Sequence, residues 1–134
     1  MRHVPTIVGA LLGLAFVAFS LMYFFDLAPP QDPPPAGSPA AAFFTAFGPT
    51  GWMNLVKVCE FTGGVLTAIP RTRCLGLLLL GPVLVNIIAF HVFAKGDGFT
   101  DPIVIALSAM AVFLVLVERK AFGFLLTRPL PSRR

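Results

Sequence analysis

An all-α bundle of four membrane-spanning helices, with a short interfacial helix between the first and second, is the fold class this sequence predicts. Three observations carry that expectation. Hydrophobic residues make up 57% of the chain and charged ones only 12%; four apolar segments are separated by polar or proline-rich turns; and the Lys and Arg residues gather on one side of those segments. Soluble domains carry about 25% charged residues, so a soluble chain this apolar would lack polar groups to cover its surface. Lipid is its natural solvent, and 134 residues suffice for a single membrane domain.

The first segment, 5–25, is uncharged and meets the roughly 20-residue requirement for a spanning helix. Its apolar run exceeds the roughly 7–15 residues of a signal-peptide core and ends in no small-x-small cleavage site, which predicts a retained helix. Gly9 and Gly13 form a small-xxx-small pair that lets a neighbouring helix approach closely. Residues 26–39 hold six prolines and read as an extended loop outside the hydrocarbon. Ala40, Phe43, Phe44 and Phe47 then fall at i, i+3, i+4, i+7, the stripe of a short helix over 40–47, too short to span and suited to the interface.

The second spanning segment is 52–69, opened by Trp52 at headgroup level and closed by Pro70. Arg71 and Arg73 make a basic turn. The third segment is 74–94, with a kink expected at Pro82, whose ring cannot bond the Leu78 carbonyl. A polar turn leads to the fourth segment, 102–118, with Pro102 at its start; 119–134 is a basic tail, of which Ala121–Leu126 is read as continuing along the interface. With the N terminus inside, eight Lys and Arg residues outside the segments lie on the cytoplasmic side (Arg2, Arg71, Arg73 and the tail) against Lys95 alone outside. Both termini are therefore expected in the cytoplasm, with the protein multi-pass in the inner, cytoplasmic membrane. A basic tail also suits nucleic acid, but on so apolar a chain it marks the inner face and meets anionic lipid; the bilayer, not nucleic acid, is the expected partner.

Few polar side chains fall at membrane depth. Lys57 and Glu60 share one face at i, i+3 and are able to form an ion pair. At about 1.5 Å per residue, Lys57 lies about 7.5 Å and Glu60 about 12 Å below Trp52, while His91 and Asn86, on the antiparallel third segment, lie about 6 Å and 13.5 Å below Lys95. All four match in depth and are expected to form one buried cluster. A charge near the bilayer centre costs at least ~2.5–3.5 kcal/mol on insertion scales, which makes such a pair a ligand or proton site by default. The competing reading is a structural lock, with Lys57 snorkelling outward and Glu60 neutralised by it. Cys59 and Cys74 sit about 22 Å apart along a helix, too far for a disulfide, and no spacing suggests a metal site.

Two stretches resemble a known family. Gly48 to Gly64, with Lys57-x-x-Glu60 followed by Gly63-Gly64, is similar to the second helix of the DoxX-like family. Gly81 to His91, with Pro82-x-x-x-Asn86-x-x-x-x-His91, is similar to its third. That resemblance implies a four-helix membrane bundle linked to thiosulfate:quinone oxidoreductase subunits or to membrane oxidoreductase complexes of thiol stress. The function then expected is a membrane subunit with no cofactor of its own that binds a quinone or other lipophile for a redox partner. Lys57, Glu60, Asn86 and His91 are the ligand-binding candidates; no catalytic residue is named and enzymatic activity is left open. The alternative is a non-enzymatic scaffold, assembly factor or lipid-binding bundle, whose polar cluster only fixes packing. A partner protein or a homo-oligomer is compatible with either. Four helices without a clear internal repeat argue against an alternating-access transporter.

Overall fold

A computed structural model describes residues 3–30, 32–97 and 100–126, and every regular element in them is helical. Arg2 and the tail residues Arg128, Arg133 and Arg134, used above to orient the chain, lie outside the described residues.

Six α-helices follow in order: α1 (Val4–Phe24), α2 (Pro39–Phe47), α3 (Trp52–Ala68), α4 (Arg73–Ala89), α5 (Pro102–Val117) and α6 (Arg119–Leu126). A 3₁₀ turn, Gly48–Thr50, joins α2 to α3, and a π-helical turn, Phe90–Lys95, prolongs α4. The starts carry local chemistry. Pro5 stands in the first turn of α1, where its missing N–H costs nothing. Ser38 caps α2, its hydroxyl accepting from the Ala41 amide at 3.2 Å. Asp101 caps α5 by accepting from the amides of Ile103 (2.8 Å) and Val104 (3.3 Å).

α1 packs against α3 and α5, and α4 against α3 and α5, so the four long helices form a ring around one core. Each contributes a stripe at helical spacing, such as Gly9, Leu12, Gly13, Phe16 and Ser20 on α1 or Val104, Leu107, Ala111 and Leu114 on α5. Leu12, Leu80 and Leu114 are completely buried at its centre. The outward faces stay apolar: Leu14, Val85 and Leu116 are 61%, 67% and 63% exposed. Helices hydrophobic all round suit lipid rather than water.

The spans are fewer by length than the sequence suggests. α1, with 21 residues, and Arg73–Lys95, with 23, are each long and apolar enough to cross a membrane. A third exists only if α5 and the start of α6, bent by 67° at the break, count as one. α3 falls short because its 17 residues span about 25 Å against ~30 Å of hydrocarbon.

The stretch read as continuing the fourth segment along the interface is helical, as Arg119–Leu126. Pro82 lies inside α4, which changes character at Phe90, where a wide turn brings the Gly96 amide to the His91 carbonyl at 3.0 Å. One local expectation needs correcting: Arg73, assigned to a basic turn, begins α4 and is only 3% exposed. Its Nε donates to the Thr67 carbonyl at 3.3 Å and its Nη1 to Glu118 Oε1 at 3.3 Å. Burial is tolerable because a carboxylate and a backbone carbonyl meet the guanidinium.

Candidate functional site

The buried face of α3 consists of Glu60, Gly63, Gly64 and Thr67. The two glycines let α3 approach its neighbours. A Cβ on Gly64 would stand 2.7 Å from the Gly13 carbonyl oxygen of α1, and one on Gly63 2.8 Å from the Leu80 side chain of α4. Glu60, on the same face one turn earlier, is thereby driven into the bundle.

Glu60 is paired. Lys57 Nζ lies 2.7 Å from Glu60 Oε2, and their side chains are 18% and 4% exposed. The i, i+3 spacing supplies the geometry and burial raises the strength of the bond. Tyr23 of α1 extends the group: Lys57 Nζ lies 5.9 Å from its ring centroid, and its hydroxyl donates to Asn54 Oδ1 at 2.9 Å.

Above this pair α2 forms an aromatic roof. Phe43 and Phe44 meet Phe90 with ring centroids 5.2 and 5.4 Å apart, and Phe47 lies against Trp52 at 5.7 Å. The stripe read from the sequence is thus only partly covered: Ala40 is buried, whereas Phe44 and Phe47 are 43% and 39% exposed. Beneath the roof is a cavity of ≈ 360 Å³, walled by side chains such as Phe16, Phe19, Val56 and Leu107, and Lys57, Glu60, Asn86 and His91 all line it. That volume lies in the ordinary range for small-molecule sites, and so does an apolar wall with few convergent polar groups.

The four residues share a cavity but do not form one hydrogen-bonded cluster. His91, on the π-helical turn, directs Nδ1 at Asp97 (3.0 Å to Oδ1), and Lys95 Nζ meets the other oxygen at 2.7 Å. The hydrogen bond from Lys95 holds the Asp97 carboxyl below the usual carboxylate range; partial desolvation opposes this, and the hydrogen bond and charge of His91 reinforce it. Asn86 makes no side-chain hydrogen bond among the described residues and is exposed, which puts it at the cavity mouth. Its amide is free to meet a ligand there.

Sequence reading missed Tyr23, Asp97 and the Arg73–Glu118 pair. The last had a signal: Glu118 is the only acidic residue after Asp101, and it follows an uncharged helix that runs back toward the α3–α4 turn. Cys59 and Cys74 are free thiols, and no group of His, Cys, Asp and Glu among the described residues is arranged to hold a metal ion.

What these features define is an all-helical chain with two or three helices able to cross a membrane and an aromatic cavity built over an ion pair. No protein-family model matches the chain, and neither a curated protein nor a solved structure matches it.

Proposed function

We propose that the chain is a four-span protein of the cytoplasmic membrane, DoxX-like in its second and third spans, that binds a quinone or similar lipophile as a subunit serving a redox partner. The observation that carries this reading is the convergence of Lys57, Glu60, Asn86 and His91 on one aromatic-walled cavity. Flat aromatic rings receive a planar headgroup by stacking or edge contact. Lys57 and the Asn86 amide donate to a carbonyl oxygen of the headgroup, and His91, fixed on Asp97, offers its other ring nitrogen. Glu60 holds Lys57 in place and takes or returns a proton through it. Asn86 at the mouth gives a lipophile a lateral way in from the bilayer. In this reading α3 and α5 both span despite their lengths, because α2 and α6 lie along the two interfaces and shorten the depth to be crossed.

Native mass spectrometry of the protein released from its own membranes in mild detergent tests the reading. A retained mass matching a quinone or another lipophile, lost in Glu60→Gln while the variant stays folded, is the expected outcome. A bare protein would overturn it. One observation favours the second reading, a scaffold or assembly role: Lys57 and Glu60 already satisfy each other at 2.7 Å. In that case Glu60→Gln lowers the melting temperature, and association with a partner polypeptide fails along with it.

A further inference from the structure

A second cavity, of ≈ 730 Å³, lies against the first. The proline segment covers it with Asp32 and Pro33–Pro35, and Ala94 and Lys95 of the π-helical turn line its other side. Phe44, Phe90, His91 and Asp101 belong to the walls of both cavities. The partition between them is thus two aromatic rings in an edge-to-face contact, centroids 5.4 Å apart, flanked by two polar side chains. Phe44 is 43% exposed and belongs to a nine-residue helix, so its ring has room to swing. Beyond the partition lies Glu60, itself only 3% exposed. Toward the other end of the bundle the way is shut: Leu12, Leu80 and Leu114 fill the core with no exposure at all.

We propose that the second cavity is the aqueous vestibule of the site, through which water, protons and small polar solutes reach the Lys57–Glu60 pair from the face that carries the proline segment, with Phe44 against Phe90 as the gate. The inference rests on the binding reading only in taking the Lys57–Glu60 cavity as the working site. It adds that any proton exchanged there belongs to the compartment on the proline-segment side. The cavity thus has two doors, a lipid-side mouth at Asn86 and a water-side one at His91.

The test is thiol accessibility in sealed membrane vesicles of either orientation, in full-length protein carrying Cys59→Ala and Cys74→Ala. The reporter is Val56→Cys in the inner cavity, with Met53→Cys as a second reporter should the first fail to fold. Pro35→Cys, in the vestibule wall, identifies the face that the proline segment occupies. The probe is the membrane-impermeant cation trimethylammonium-ethyl methanethiosulfonate. The expected result is labelling of the inner-cavity cysteine only from the face that labels Pro35→Cys, about tenfold or more faster with Phe44→Ala and slower with Phe44→Trp, as for a gate. Labelling only from the opposite face, a rate indifferent to the size of residue 44, or no labelling while Pro35→Cys reacts would each overturn it. No lipophile takes part in the labelling. Labelling without a retained quinone therefore removes the ligand reading alone, and a retained quinone without labelling removes the vestibule alone.

Discussion

The least expected residue is Arg73. Its side chain is 4% exposed, its partner Glu118 is 25% exposed, and one nitrogen, Nη2, is buried without a hydrogen-bond partner. A guanidinium stays charged in any protein environment, so neutralisation offers no escape. Removing the carboxylate leaves it with the Thr67 carbonyl as its only described partner. Breaking a fully buried pair costs about 3–5 kcal/mol. Glu118 is a quarter exposed, and the smaller figure of about 1–3 kcal/mol is expected for Glu118→Gln, read as a fall in thermal stability in detergent. The double variant Arg73→Met, Glu118→Leu should recover most of that loss, since replacing both members of a buried pair by apolar groups is often neutral. A double variant no more stable than Glu118→Gln would mean that the guanidinium does more than answer its carboxylate.

Among the elements, the α1–α3 seam depends on glycine where no larger residue fits. A Cβ on Gly64 would lie 2.7 Å from the Gly13 carbonyl oxygen and 3.1 and 3.2 Å from atoms of Val17 and Phe16. The first of these is backbone, which cannot rotate away. Gly64→Ala must push the helices apart, at about 1–3 kcal/mol as for other overpacked cores, and it should loosen the cavity that α3 walls. Gly81 in α4 meets nothing within 4 Å, so the same substitution there should stabilise by about 0.5–1 kcal/mol through helix propensity alone. Paired melting curves of the two variants check both signs, and equal effects would refute the seam. This contrast also marks what was legible in advance. Gly9-xxx-Gly13, the phenylalanine stripe of α2 and the Lys57–Glu60 spacing are local patterns, and helix periodicity decides which residues share a face. Lys57 and Glu60 pair as read. Gly13 meets the backbone of α3 while Gly9 meets the Arg73 side chain, and Ala40 of the stripe is buried while Phe44 and Phe47 stay exposed. For Arg73 with Glu118 the sequence offered only the isolation of Glu118 as an acidic residue, not its partner, and His91 with Asp97 was not legible. Each depends on how a chain end or a π-helical turn is aimed in three dimensions, and no period encodes that.

For the whole molecule, the question is how many times the chain crosses. Length and apolarity alone support two crossings, or three with the bent α5–α6 pair. In the proposed reading, the ring in which α1, α3, α4 and α5 each pack on two others would carry all four helices across together. The exposed faces agree: Leu55 and Val58 on α3 and Val112 on α5, at 57%, 51% and 59% exposure, would otherwise stand in water. Lys57 and Glu60 do not weigh against a crossing, because each answers the other's charge. In that reading charge placement would set the direction, with Arg71 and Arg119 at one end of the ring and Asp26, Lys95 and Asp97 at the other. Reporter fusions separate these counts. With four crossings and the N terminus inside, green fluorescent protein fused after Arg134 should fluoresce, and alkaline phosphatase inserted after Gly37 should be active. The same phosphatase inserted after Pro70 should be inactive. With α3 lying on the surface, the Gly37 and Pro70 sites would fall on one side and report alike. An active phosphatase at Pro70 would therefore remove the four-span reading, together with the lateral mouth at Asn86, which requires α4 to enter the bilayer beside α3.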